Sequence, residues 1–281
     1  MWSESERSFL NILFWNLGKK NNAQYLADCI KEWQIDLIVL SEYENLDISF
    51  VLNDLKNDYW HVLGKGGCDK ITLIARNKVA VTIKREQSRY ALYSIECNNT
   101  KFNLVGTHLQ DRRNCDPAQR IAVIARLMND LKNLEDSSKC KKSIIIGDLN
   151  SNPYDAELLQ MNAFHAVLFK DVIKNAETRT VDGIQYRRLY NPILHFLSED
   201  TKNYGSFYDT HGSSSPTWHC LDQVLVSKAL ADAIVLLKYL REINGTSLIS
   251  RIMPRKEISD HLPLFVQMEE RVNDEIRKPM A

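Results

Sequence analysis

The chain has 281 residues, 44% hydrophobic and 26% charged, and its 36 basic residues balance 36 acidic ones. This is the composition of an ordinary folded protein, and no stretch approaches the ~20 apolar residues that cross a bilayer. Zero net charge neither demands nor excludes a nucleic-acid partner, because binding depends on local patches. The six cysteines are scattered with no C-x-x-C pair, which fits neither a zinc site nor a disulfide-dense secreted module. The start, Met1-Trp-Ser-Glu-Ser-Glu-Arg7, is acidic where an export signal is basic. A cytoplasmic protein with reduced thiols and no membrane insertion is expected.

Taken in chain order, the predicted strands are Leu10–Trp15, Asp36–Leu40, Ile71–Ala75, Phe102–Gly106, Ser143–Ile146, Asp222–Val226 and Leu262–Val266. Each is short, rich in Ile, Val, Leu or Phe, and bounded by polar or turn residues. Ala23–Trp33 places Leu26, Ile30 and Trp33 at helical spacing, and Pro117–Leu134 does the same with Ile121, Ile124, Leu127, Met128 and Leu131. Pro117 suits a first helical turn. Early βαβ units together with consecutive strands over Lys70–His108 predict a sheet-on-sheet core with helices outside. There is no repeat, low-complexity tract or dividing linker, so one domain is expected over residues 1–281. The stretch 175–216 is the least regular, either a substrate-facing insertion or a long surface connection.

Reactive side chains gather at strand ends. Asn16 follows the first strand, Glu42 the second, and His108 ends Gly106-Thr-His108. Asp148 and Asn150 close Ile144-Ile-Ile-Gly-Asp-Leu-Asn150, while Asp260 and His261 precede the last strand. Strand ends are where rigid scaffolds present catalytic groups. Singly, each has a bland alternative: a turn asparagine, a solvated glutamate, a packed histidine. Five strand ends that all carry metal- or phosphate-compatible groups are hard to attribute to chance.

Phe14-Trp-Asn16, Leu40-Ser-Glu42, Gly106-Thr-His-Leu109, Gly147-Asp-Leu-Asn-Ser-Asn-Pro153, Leu221-Asp-Gln-Val-Leu-Val-Ser227 and Ser259-Asp-His-Leu-Pro263 stand in that order. Together they resemble the endonuclease/exonuclease/phosphatase superfamily over nearly the whole chain. The two elements around Asp148 and His261 are the specific ones. The resemblance implies a four-layer α/β sandwich of two packed mixed β-sheets flanked by helices, with an active site where strand ends converge. The segment from Leu189 to Trp218 looks like that of poorly characterised bacterial members.

The resemblance also implies roles. Glu42 is the principal magnesium ligand, with Asn16 beside it and Asp260 direct or water-mediated; manganese accepts similar oxygen ligands. Asp148 orients or deprotonates the attacking water, Asn150 donates to a phosphate oxygen, and His108 contacts the phosphate or leaving group. Asp222 pairs with His261, which stabilises the phosphoryl oxygen if charged and acts as base if neutral. Arg112, Arg113 and Arg120 are candidate substrate contacts, weighed against a solvated loop for the first two and a structural role for Arg120. Of Trp218 and His219, which precede Asp222, the tryptophan is read as packing.

A metal-dependent phosphodiester hydrolase follows, with a nuclease acting on DNA or RNA as the favoured form. It needs a basic groove, for which Arg76, Lys78, Lys84, Arg85, Arg89, Arg112, Arg113, Arg187 and Arg188 are the candidates. A small-molecule or lipid-headgroup phosphoesterase is the alternative. Leu17-Gly-Lys after Asn16 and Tyr43-Glu-Asn45 after Glu42 depart from the abasic-site endonuclease pattern. Occupation of every expected catalytic position disfavours an inactive binding module.

Overall fold

The computed structural model describes residues 9–199, 205–210 and 217–269, with two large β-sheets facing each other and helices outside. Six strands form the first sheet, in the order β16 (Ile234–Tyr239), β21 (Leu264–Glu269), β1 (Phe9–Asn16), β2 (Leu37–Ser41), β4 (Ile71–Arg76), β3 (Tyr59–Val62). Seven form the second: β5 (Ala80–Gln87), β6 (Tyr90–Cys97), β7 (Thr100–His108), β8 (Ser143–Asp148), β15 (Asp222–Val226), β12 (Leu189–Tyr190), β9 (Ala166–Val167). Four small ladders complete the strands. They are β10 (Thr178–Val181) with β11 (Ile184–Arg187), β13 (Phe207–Tyr208) with β14 (Trp218–His219), β17 (Glu242–Ile243) with β18 (Thr246–Ser247), and β19 (Ile249–Ser250) with β20 (Met253–Pro254).

The four-layer α/β sandwich expected from the sequence is therefore present. Every predicted strand is found, and β1, β7 and β8 run on to include Asn16, His108 and Asp148. The last strand starts at Leu264 rather than Leu262. The 175–216 stretch carries the β10–β11 hairpin, β12 and a helix over Ile193–Glu199; its residues 200–204 and 211–216 lie outside those described. No disulfide joins the described cysteines, and no described helix is long and apolar enough to cross a membrane.

The sandwich follows from period-two alternation on strands buried on both faces. Ile144, Ile146, Leu104 and Val224 point into the main core shared by the two sheets, whereas Ile145, Val105 and Leu225 point outward. That outer face packs on Ile124, Leu127 and Leu131 of α3 (Pro117–Ser138). The helix starts where Pro117 fits its first turn and the Asp116 carboxylate accepts from Ala118 N at 2.6 Å. On the first sheet, α1 (Ala23–Glu32) puts Leu26, Cys29 and Ile30 into the core.

Helix placement decides where strand ends fall. Parallel neighbours need a crossover, supplied by α1 between β1 and β2 and by α3 between β7 and β8. The C-terminal ends of each parallel pair therefore share one edge. Antiparallel β15 and β21 begin where their neighbours end, which brings Asp222 and the Asp260–His261 pair to that edge. Register finishes the alignment: His108 stands opposite Asp148, and Asp148 opposite Asp222.

Two close approaches lock this edge. A Cβ on Gly147 would sit 1.9 Å from the Thr107 carbonyl oxygen, and one on Gly106 2.7 Å from Ile71 Cγ2 of the other sheet. Arg120 is a further lock, and here the substrate-contact expectation is corrected. Its side chain is fully buried; it donates to the carbonyls of Gln110 (2.9 Å), Leu149 (3.2 Å) and Asn150 (2.9 Å), and pairs with Glu157 at 3.1 Å. It clamps the turn after Asp148 because a buried guanidinium must satisfy its donors locally.

Gly147→Ala is expected to cost about 1–3 kcal/mol or more by overpacking, read as a lower midpoint in urea unfolding; an unchanged midpoint would contradict the close approach. Arg120→Met leaves Glu157 to Arg112 and takes the donors from three loop carbonyls; it is expected to cost about 1–3 kcal/mol in the same measurement, whereas a near-neutral effect would place Arg120 outside the framework.

Candidate active site

The shared edge opens into a cleft of about 540 Å³ lined by Glu42, His108, Asp148, Asn150, Asp260 and His261, with Asn152, Phe207 and His219 on a further wall. Asn16 and Asp222 lie beneath this surface, 2% and 0% exposed. The edge thus gathers Asn16, Glu42, His108, Asp148, Asn150, Asp222, Asp260 and His261.

Asn16 spans the two sheets. Its Nδ2 donates to Asp148 Oδ2 at 3.1 Å and approaches Glu42 Oε1 at 3.5 Å, while its Oδ1 accepts from Gly18 N at 3.0 Å. The Gly18 amide can only donate, so this bond fixes the amide's orientation. Asn16 therefore presents nitrogen, not oxygen, to the carboxylates. In this geometry it holds Glu42 and Asp148 in place, which differs from the metal-ligand role the resemblance implies.

Glu42 adopts φ +48°, a left-handed conformation that costs a non-glycine residue on the order of 1–3 kcal/mol. The bend after β2 turns its carboxylate into the cleft, and its carbonyl accepts from Lys19 N at 2.9 Å. Asp260 lies across the same turn: a Cβ on Gly18, which has φ +56°, would meet Asp260 Oδ1 at 3.0 Å. Asn150 is also left-handed, and its backbone N–H donates to Asp148 Oδ1 at 2.9 Å while its Nδ2 donates to the Leu109 carbonyl. His108 Nε2 faces Glu42 and Asp148 at 3.7 Å each, beyond hydrogen-bond range.

Asp222 and His261 form a buried pair, Oδ2 to Nδ1, at 2.7 Å. Burial works against charge on His261, but Asp222, with Asp148 and Asp260 nearby, outweighs it and raises the ring to about 10. Burial also pushes the Asp222 carboxyl upward, against the pull of His261. The proton stays on the ring, since three carboxylates favour it there. Ser206 and Tyr239, not singled out in sequence, fix the Asp222 backbone: Ser206 Oγ accepts from Asp222 N at 3.1 Å and Tyr239 donates to the Asp222 carbonyl at 2.7 Å.

The oxygen donors fit a hard divalent cation that takes few protein ligands. Glu42 and Asp260, both lining the cleft, could hold one. The buried trio Asp148, Asp222 and His261 also brings ligand atoms within 4.8 Å of one another. There the His261 Nδ1 is already bonded to Asp222, so the trio is better explained as a hydrogen-bonded pair beside a carboxylate.

The candidate cations are largely bound to the protein's own acceptors. Arg112 pairs with Asp155 and Glu157, and Arg113 with Asp111. Arg76 and Lys78 share Asp36, Arg85 holds Asp130, Arg187 holds Glu135, and Arg188 donates to the Ala176 carbonyl. Trp218 packs edge-on to Tyr208, with centroids 5.4 Å apart.

No curated protein sequence matches the chain. Solved structures share its fold at low identity. Truncated TDP2 from Caenorhabditis elegans aligns with TM-score 0.58 and 16% identity, covering 93% of this chain and 98% of that one. TDP2 from D. rerio complexed with single strand DNA product aligns with TM-score 0.60 and 14% identity, covering 94% and 100%. The human Nocturnin catalytic domain with bound sulfate aligns with TM-score 0.56 and 16% identity, covering 94% and 97%. With its family profile matching residues 11–274, the chain belongs to the endonuclease/exonuclease/phosphatase family.

Proposed function

We propose that the protein is a metal-dependent phosphodiester hydrolase that cleaves a strand of nucleic acid. The observation carrying this is the His108, Asp148 and Asp222 row, completed by His261 and tied through Asn16 to Glu42 on the other sheet. Family membership supports the hydrolase chemistry. The single strand DNA product held by D. rerio TDP2, a protein of the same fold, supports the substrate class.

A magnesium ion at Glu42 and Asp260 supplies electrostatic stabilisation of the phosphoryl oxygens when bound. The Asp148 carboxylate, held by Asn16 and by the Asn150 backbone, orients the attacking water and accepts its proton. His261 is charged and bonded to Asp222 through Nδ1, so its Nε2–H is the group offered to a phosphoryl oxygen. His108 stands beside Asp148 as a further contact for phosphate or leaving group. Arg112 and Arg113 reach the cleft rim already paired with carboxylates and contribute shape more than charge.

A small phosphodiester is the second substrate class. It is favoured by those internally paired arginines, since tracking a polynucleotide backbone draws on unpaired cations over several phosphates.

The purified protein, incubated with single- and double-stranded DNA, RNA and bis(p-nitrophenyl) phosphate, separates the two. Metal-dependent cutting of a polynucleotide, with a rate that falls steeply as salt rises, is expected. Chelation is expected to abolish it, and Asp148→Asn and His261→Ala are each expected to lower kcat by ~10²–10⁴-fold. Turnover of the small ester alone would transfer the assignment to a small-molecule phosphodiesterase. Full activity of both variants would refute the catalytic roles.

A further inference from the structure

The chemistry above uses His108 and His261 and leaves a third histidine on the cleft wall without a task. His219 pairs with Phe207 across β13 and β14, and Phe207 forms a bridge with His261 on its other side. Residues directly opposite across neighbouring strands point to the same face. His219, Phe207 and His261 therefore make one row, and all three line the cleft. The Phe207 ring lies 5.0 Å from that of His261 and 6.5 Å from that of His219. At ~4.8 Å per strand spacing, the outer two residues of the row stand roughly 10 Å apart.

The hydrogen-bonding state of His219 is set by its neighbour. Asn152 Oδ1 accepts from Cys220 N at 3.0 Å, so its Nδ2 is the end turned to His219, where it meets Nδ1 at 2.9 Å. An amide nitrogen donates, so Nδ1 accepts, and the ring proton belongs on Nε2. The Asn152 backbone is itself held by Asp155. The same cleft thus contains two histidines with opposite second partners: a carboxylate for His261 and an amide donor for His219.

We propose that His219 is a substrate-recognition residue whose Nε2–H donates to an oxygen of the group flanking the attacked phosphorus, with Asn152 as its positioning residue. Separated from His261 by the width of Phe207, it lies one unit along the substrate rather than at the reacting atom. The flanking group is the adjacent phosphate or sugar of a strand, which a simple diester lacks. This rests on the hydrolase reading of the cleft, and it makes a second polar group beside the scissile phosphate part of what the enzyme selects.

Steady-state kinetics of the full chain on a short single-stranded oligonucleotide and on bis(p-nitrophenyl) phosphate test it, with thermal unfolding as the check on folding. His219→Ala is expected to raise KM for the oligonucleotide about tenfold, the loss of one hydrogen bond. Its kcat, and both constants for the small ester, should stay within about twofold, well below that loss. His219→Gln retains an amide donor near the Nε2 position and should restore most of the oligonucleotide KM. An oligonucleotide KM unmoved by His219→Ala would overturn the assignment alone. An equal fall in kcat on both esters would overturn it in favour of action at the scissile phosphate. No turnover of either ester by the wild-type enzyme would overturn the hydrolase reading and this assignment with it.

Discussion

The hydrogen bond from Asn16 Nδ2 to Asp148 Oδ2 joins the end of a strand in one sheet to the end of a strand in the other, 132 residues apart in sequence. Each sheet can bring its own groups to its edge through register alone. Only contacts across the sandwich can set those two edges against each other. Such a bond is worth about 1.5–3 kcal/mol where one partner is charged, because Asp148 is buried and would otherwise be undersatisfied. Its larger consequence is geometric. With Asn16 Oδ1 held by Gly18, the amide fixes Asp148 and Glu42 relative to each other, the two carboxylates to which the proposed mechanism gives the water and the metal. Gly106 and Gly147 leave room for the Ile71 side chain of the other sheet and for the Thr107 carbonyl, where any added side chain would collide.

The electrostatics follow the same logic of fixed partners. Carboxylates at the edge fall into two kinds. Asp222 is buried and paired with His261, whereas Glu42 and Asp260 line the open cleft. Histidines divide likewise, one paired to an acid and one to an amide. Identical side chains are set apart here by the second atom each one touches.

Much of this was legible in the sequence, and the reasons are physical. Ile144-Ile-Ile146 reads as a strand because a strand buried on both faces is an unbroken apolar run, and Asp148 reads as its polar end. The order of the motifs then fixes the family and with it the sandwich. Arg120 was legible only as a cation near a helix start. Its burial depends on Leu149 and Glu157 arriving from elsewhere, which spacing does not encode. The orientation of the Asn16 amide is a matter of which atom meets the Gly18 N–H. The row of His219, Phe207 and His261 depends on a two-residue ladder between β13 and β14, too short to leave a periodic signal. The place of Trp218 and His219 just before Asp222 was the hint in the sequence that this wall belongs to the site.

In the proposed mechanism Glu42 and Asp260 hold the metal while Asp148, Asp222 and His261 stay a metal-free hydrogen-bonded group. Anomalous scattering from crystals soaked in manganese addresses it most directly. The expected result is a peak in contact with the Glu42 and Asp260 carboxylates, lost in Glu42→Ala, with the Asp222 to His261 hydrogen bond intact. A peak ligated by Asp148, Asp222 and His261, or one that survives Glu42→Ala, would contradict it.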